Sequence, residues 1–164
     1  NGDYSSVIKK FRPESFKEGN IVDIKGNKLG KHEGIINYTI GQRRGIKVSS
    51  SEPLYVVDID TKTNTIKIGP KESLIVKKIF LRDLNILGKE KDFEDLIYIK
   101  VRSTGNLLKS KIKLKGNFAS VEILEKETGI SPGQACVFYS KDNYGDRVLG
   151  GGWIHKTENK NLST

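Results

Sequence analysis

The second half of the chain is built from short runs in which apolar and polar residues alternate, and this pattern constrains the fold more than any other sequence feature. The clearest run covers residues 96–102, whose apolar members fall on one face of a strand: Ile97, Ile99 and Val101. Residues 110–115 repeat the alternation, Gly116 and Asn117 supply turn chemistry, and residues 118–124 return as the partner strand. A period of two predicts β-strands with one buried face.

Hairpin turns connect further runs of this kind, so that six short strands are predicted after residue 75. They lie at residues 75–81, 96–102, 110–115, 118–124, 135–139 and 148–154. Closure into a barrel would hide the edges of these lysine-rich strands. Gly150, Gly151 and Gly152 fall inside an apolar run, which predicts a bulge or a crowded barrel crossing. We therefore predict a mainly β chain that ends in a six-stranded barrel.

The first half predicts a smaller β-rich domain containing two hairpins. One joins residues 21–24 to residues 28–29, and the other joins residues 54–59 to residues 65–68. Before them, residues 3–11 carry apolar side chains at helical spacing, and Pro13 ends this predicted helix. The predicted division is a helical remnant or linker at 1–13, a central domain at 14–75, a barrel at 76–158 and a disordered tail at 159–164.

Residues 30–45, which we call the glycine-rich segment, lie between the two predicted hairpins. They contain four glycines, at 30, 34, 41 and 45, which permit backbone conformations that other residues rarely adopt. Irregular loops of this length are uncommon in compact domains unless they bind something or are disordered. Either a solvated loop or a binding site fits the pattern, and we expect function here.

Charge favours a polyanionic partner, because 29 Lys and Arg outnumber 20 Asp and Glu and give a net charge of +9. Cys136 is the only cysteine and lies in an apolar run, which predicts packing and leaves neither a disulfide framework nor a cysteine-based zinc site. His32 and His155 have no second ligand at useful spacing, so no metal is expected. No apolar run is long enough to span a membrane, and we expect a cytoplasmic protein.

Several side chains in the glycine-rich segment suit RNA binding. Lys31, Arg43 and Arg44 could contact phosphates or base edges, and Gln42 offers an amide. His32 and Tyr38 could stack on bases or contact sugars. Tyr38 could equally be a core residue that anchors the segment.

The glycine-rich segment, with its Gly-Lys-His-Glu-Gly start and its Tyr-Thr-Ile-Gly-Gln-Arg-Arg-Gly end, closely resembles the motif of the tRNA-specific 2-thiouridylase family (MnmA, also called TrmU). Further matches follow in the family's order. They are residues 54–57, 100–102, 131–135, 137–139 and 149–154. The resemblance covers essentially the whole chain and implies a translation-factor-like barrel after the central domain.

The resemblance also implies what this chain does not carry. Family members begin with an ATP-pyrophosphatase-type domain that has an SGGxDS loop and two catalytic cysteines, and neither appears here. The second of these cysteines usually lies just before the family's counterpart of residues 3–11, so we expect this chain to start immediately after it, which would explain why it contains no methionine. The whole enzyme would use ATP with magnesium to adenylate the wobble uridine of tRNA, and a cysteine persulfide charged by a sulfur-donor protein would make 2-thiouridine. No catalytic residue or cofactor is expected in this fragment.

The resemblance also implies that three residues of the second half lie at positions that contact tRNA in the family. Arg102 and Gln134 match family residues, and Ser103 replaces a tyrosine, so it could bond phosphate but not stack. With the glycine-rich segment, the predicted tRNA-binding residues are Lys31, His32, Tyr38, Gln42, Arg43, Arg44, Arg102, Ser103 and Gln134. The alternative is a non-enzymatic, translation-factor-like β-barrel adaptor that binds RNA.

Overall fold

The computed structural model describes residues 13–142 and 145–159. The chain forms two compact units, Asn1–Leu74 and Ile75–Thr164. The helix predicted at residues 3–11 lies outside the described residues. None of the helices in the described part of the chain is long and apolar enough to cross a membrane.

The first unit contains a four-stranded sheet made of two antiparallel hairpins. Its strands are β1 (Gly19–Val22), β2 (Lys28–His32), β3 (Tyr55–Asp60) and β4 (Thr65–Gly69). The spatial order is β2-β1-β4-β3, with β1 and β4 parallel at the centre. Both predicted hairpins are confirmed. Short 3-10 helices accompany the sheet at Pro13–Phe16, Ile35–Asn37 and Lys71–Leu74.

The core of this unit is small, and the connection between β2 and β3 completes it. Four fully buried side chains come from the sheet: Ile21, Val56, Ile66 and Ile68. Partly buried side chains from residues 33–54 pack against them, namely Ile35, Tyr38, Ile46, Val48 and Leu54. Part of the glycine-rich segment therefore covers the sheet instead of extending into solvent.

The second unit is a closed barrel of six antiparallel strands, as predicted. They are β5 (Val76–Ile86), β6 (Ile97–Lys100), β7 (Leu108–Lys115), β8 (Phe118–Ile123), β9 (Ala135–Asp142) and β10 (Gly145–Asn159). The order around the barrel is β10-β5-β8-β7-β6-β9. A 3-10 helix, Glu90–Phe93, lies between β5 and β6. Strands β5 and β10 are longer than the apolar runs predicted, because interruptions of their pairing let both bend around the barrel.

The barrel interior contains the apolar residues of the alternating runs. Phe138, Ile97 and Ile99 are fully buried there, as expected from the period of two. Cys136 is also fully buried, and this burial raises the pKa of its thiol to about 12. Because the thiolate is the reactive form, the packing role predicted for Cys136 is confirmed.

The triple glycine in β10 lies at a crowded crossing, as predicted. The pairing register of β10 shifts on both sides of it, between Val148 and Gly150 and between Gly151 and Trp153. A Cβ atom on Gly151 would lie 2.7 Å from the Cys136 carbonyl oxygen. Neighbouring backbone therefore occupies the space that any side chain would need.

Candidate nucleic-acid interface

His32 lies at the end of β2, where the glycine-rich segment leaves the sheet, and its side chain is buried. Its Nδ1 accepts a hydrogen bond from the Gly34 N–H at 3.1 Å. The proton is then on Nε2, which donates to the Asn64 carbonyl oxygen at 3.0 Å. Both ring nitrogens are occupied within the protein, so His32 positions the segment and does not present its ring to a ligand.

Asn64 extends this network to the residues that precede β1. Its side-chain amide donates to the carbonyl oxygens of Lys17 and Glu18, at 3.2 and 2.9 Å. Asn64 has a φ of 52°, a left-handed conformation that asparagine tolerates better than most residues. Asn64 is not among the residues predicted from the sequence, although an asparagine in the polar turn between two strands was a usable signal.

Tyr38 packs against His32 in an edge-to-face arrangement, with ring centroids 5.7 Å apart. It also contacts the small hydrophobic core of the first unit. Partial burial raises the pKa of its phenol above the usual range. Of the two roles left open by the sequence, this geometry favours an anchor in the core.

Gln42 closes the turn at the outer end of the glycine-rich segment. Its Oε1 accepts from the Thr39 N–H at 3.0 Å, and its Nε2 donates to the Arg44 carbonyl oxygen at 2.8 Å. Backbone hydrogen bonds join the same turn to Val56 in β3: Gly41 N–H donates to Val56 and Val56 N–H donates to Gln42, at 2.8 and 2.9 Å. The amide that was predicted to contact RNA therefore holds the turn.

The turn presents Arg43 and Arg44 to solvent. Both are exposed, and within residues 13–142 and 145–159 neither guanidinium makes a hydrogen bond or an ion pair. Lys31 is exposed as well but pairs with Glu18, and this hydrogen bond is the main reason that the pKa of the Glu18 carboxyl is lowered. The two arginines are the cations of this segment best placed to bind an anion.

In the second unit, two predicted site residues from different connections between strands converge on one backbone carbonyl. Arg102 donates from Nη2 to the Gly129 oxygen at 2.6 Å, and Gln134 donates from Nε2 to the same oxygen at 3.3 Å. The Oε1 of Gln134 accepts from the Ser131 N–H at 3.2 Å. Ser103 follows Arg102 on the surface and is exposed. Gly129 is not among the residues predicted from the sequence, because no local pattern marks it.

Arg102 keeps most of its hydrogen-bonding capacity, because a guanidinium has five N–H donors and Gly129 takes one. Its fork can therefore still engage a phosphate or a base edge.

A metal site is not seen in the described parts of the chain. No three His, Cys, Asp or Glu side chains come close enough there to hold a metal ion. Both sites offer cationic hydrogen-bond donors and suit the binding of a polyanion.

Comparison with known proteins agrees with the two compact units and with the barrel of the second unit. The family model for the tRNA methyl transferase PRC-barrel domain matches residues 5–70, and the model for the aminomethyltransferase beta-barrel domain matches residues 76–154. Three curated relatives all carry the name tRNA-specific 2-thiouridylase MnmA. The protein from Bartonella bacilliformis is 48% identical over 162 residues, that from Maricaulis maris 44% over 158, and that from Rickettsia massiliae 49% over 157.

The alignments cover 96%, 96% and 94% of this chain but only 41%, 39% and 42% of those relatives. The chain thus spans about two-fifths of the length of the relatives it matches. The resemblance seen in the glycine-rich segment extends over both units. The chain belongs to the MnmA family of tRNA-specific 2-thiouridylases and corresponds to the C-terminal part of its members.

Proposed function

We propose that this chain binds tRNA for a 2-thiouridine synthase. One observation carries the proposal: a turn held by the Gln42 side chain and by two backbone hydrogen bonds to Val56 presents Arg43 and Arg44 outward, without partners for their guanidinium groups among the described residues. A held turn lowers the cost of ordering the backbone when a phosphate binds, so that only the two arginine side chains remain to be ordered. The net charge of +9 supports the same partner, since it attracts tRNA from a distance.

The proposed contact residues are the exposed ones among those predicted. Arg43, Arg44 and Lys31 would contact tRNA from the first unit, and Arg102 and Ser103 from the barrel. His32, Tyr38, Gln42 and Gln134 serve as positioning residues in this proposal, because their polar atoms or rings are engaged within the protein.

In the full-length protein we propose thiolation of the wobble uridine in the cytoplasm. ATP with magnesium would activate the uridine, and a cysteine persulfide charged by a sulfur-donor protein would supply the sulfur. We assign that chemistry to the N-terminal ATP-pyrophosphatase domain of family members, which would be the partner of this chain. The 164-residue chain alone is expected neither to hydrolyse ATP nor to thiolate tRNA.

The test is a tRNA titration of the chain and of the double variant Arg43→Glu/Arg44→Glu, followed by fluorescence anisotropy of labelled tRNA. The variant should bind at least about tenfold more weakly, because it loses two charge-assisted contacts. The slope of log affinity against log salt should fall by about two.

The matched control is Lys25→Glu/Lys62→Glu, which changes the net charge equally at two exposed turn positions of the same unit. It should retain most of the affinity. Equal losses in the two double variants would show that only overall charge matters, and the proposed role of Arg43 and Arg44 would be rejected.

A further inference from the structure

Aromatic side chains lie on the outer surface of the barrel, where strands β10, β5 and β8 adjoin. The ring centroid of His155 lies 6.4 Å from that of Phe80 and 6.3 Å from that of Phe118, both edge-to-face. Phe118 is 57% exposed, and Trp153, on the same strand as His155, is 50% exposed. We call these four residues the aromatic face. Exposed aromatic side chains grouped on neighbouring strands suit a binding surface.

Cations are interleaved with these rings. The Nζ atoms of Lys78 and Lys156 lie 5.3 and 5.4 Å from the centroid of Phe80, within the range of a cation–π interaction. Arg82 is paired directly with Trp153 across β5 and β10. Acidic residues border the surface at Glu122, which is paired with Lys78, and at Asp83, which lies 3.8 Å from Arg82.

This composition decides between two kinds of partner. The centres of protein–protein interfaces are depleted in lysine, whereas here lysines cover one of the aromatic rings. Surfaces that bind single-stranded nucleic acid combine aromatic rings, on which bases stack, with a cationic track for the phosphates. The aromatic face has both elements.

The aromatic face also adjoins the turn of Gln134, whose side chain shares the Gly129 carbonyl with the proposed tRNA contact Arg102. Trp153 is paired with Ala135, the residue after Gln134. The Ile154 N–H donates to the Gln134 carbonyl oxygen at 2.9 Å, and the Gly133 N–H donates to the Ile154 carbonyl oxygen at 2.8 Å. A strand of RNA bound at Arg102 can therefore continue past this turn onto Trp153.

We infer that the aromatic face binds unpaired nucleotides of RNA, with Phe118 and Trp153 as stacking platforms and Arg82 and Lys156 as phosphate contacts. The inference rests on the proposed function in taking RNA as the partner. It adds a surface that none of the predicted site residues belongs to.

Trp153 is the only tryptophan of the chain, so its fluorescence reports on this surface alone. The experiment is titration of the full chain with an oligouridylate of about eight nucleotides, within the usual site size for single strands. Stacking should quench the emission of Trp153. Phe118→Ala, which keeps Trp153 as the reporter, should weaken binding by about tenfold or more. Lys156→Glu should also weaken binding, and by a larger factor at low salt than at high salt.

Leu87→Ala is the matched control, since Leu87 is 66% exposed and lies outside the aromatic face. It should leave the titration unchanged. Circular dichroism of each variant checks the fold. Equal affinity of Phe118→Ala and the wild-type chain would overturn the inference, as would equal quenching by an inorganic polyphosphate of the same charge. A shift of emission that depends on protein concentration and not on RNA would assign the face to a second copy and overturn it too.

The inference and the proposed function can fail separately. Arg43→Glu/Arg44→Glu should weaken tRNA binding and leave the oligouridylate titration of Trp153 nearly unchanged. If tRNA binds through those arginines while oligouridylate neither binds nor quenches, only the inference is rejected. If neither RNA binds the wild-type chain, both are rejected.

Discussion

The glycine-rich segment and the barrel are each stabilised by a different kind of interaction. The barrel takes its shape from apolar side chains at alternate strand positions, which fill its closed interior. Substitutions at the outward positions of its strands should therefore affect its stability little. The glycine-rich segment takes its shape largely from polar bonds, through His32, Asn64 and Gln42. The difference teaches that a polar residue in a sequence motif need not contact a ligand. In the glycine-rich segment, His32 and Gln42 hold the backbone, and the arginines remain for binding.

The largest effect should come from the barrel interior. Phe138 is fully buried and packs edge-to-face on Phe93, with centroids 6.4 Å apart. Phe138→Ala should lower the free energy of unfolding by roughly 3–5 kcal/mol, because it leaves a cavity. The exposed Phe118→Ala should change it by no more than about 0.5 kcal/mol. Denaturant unfolding measures both, and similar losses would contradict the contrast between interior and surface.

Cys136 offers an independent readout of the same experiment. With a pKa of about 12, only about one thiol in ten thousand is ionised at pH 8 in the folded barrel. A thiol reagent should therefore label Cys136 chiefly after unfolding, and faster in Phe138→Ala than in Phe118→Ala. Rapid labelling of the folded wild-type chain at pH 8 would contradict the assigned burial.

A smaller and local effect should follow from His32→Ala. The substitution leaves the Gly34 N–H and the Asn64 carbonyl without their partners, at a cost of about 1–3 kcal/mol for a buried polar group. Hydrogen exchange should speed up in the glycine-rich segment and stay unchanged in the barrel. The exposed His155→Ala is the control and should leave the segment protected. Uniformly faster exchange across the chain would contradict a local role.

Gln42→Ala should act more weakly, since its two hydrogen bonds are exposed and each contributes on the order of 1 kcal/mol. We expect tRNA affinity to fall a few-fold because Arg43 and Arg44 lose their rigid support. Gln42→Glu keeps the acceptor for Thr39 but sets a carboxylate oxygen against the Arg44 carbonyl and adds a negative charge beside the arginines, so it should weaken binding more than Gln42→Ala. A loss of affinity in Gln42→Ala as large as that of the double arginine variant would indicate that Gln42 contacts tRNA directly.

The smallest effect concerns acid stability of the barrel. Asp92 accepts from the Lys89 N–H at 2.7 Å and from Arg147 at 3.1 Å, and these two contacts, in that order, lower the pKa of its carboxyl. A lowered pKa in the folded state means stability that is present above the ordinary value of 3.8 and is lost as the pH falls through the folded value. Asp92→Asn should thus be less stable than wild type at pH 7 but nearly equal at the acid end. Urea titrations from pH 7 to the acid end measure the free energy of unfolding of the variant and of the wild-type chain, with Asp95→Asn as the control. A difference between Asp92→Asn and wild type that does not change with pH would contradict the assignment.

Much of this arrangement followed from local patterns. The hairpin around Gly116, the buried row of Ile97 and Ile99 and the crowding at Gly151 each follow from nearest neighbours in sequence and the period of a strand. The lengths of β5 and β10 did not, because bulges continue their pairing into polar sequence that carries no strand period. The roles of His32 and Gln42 did not either, since their partners are backbone atoms that composition cannot reveal.

By itself the sequence determined a mainly β chain, a six-stranded barrel, a buried cysteine and an interpretable family motif, because each depends on spacing or on residue type along one stretch. Only the tertiary structure decided which motif residues face solvent. It joined Arg102 to Gln134 through the Gly129 carbonyl and placed Phe80, Phe118, Trp153 and His155 side by side on three strands. The physical reason is strand pairing, in the open sheet as in the closed barrel, which makes neighbours of residues that are distant in sequence.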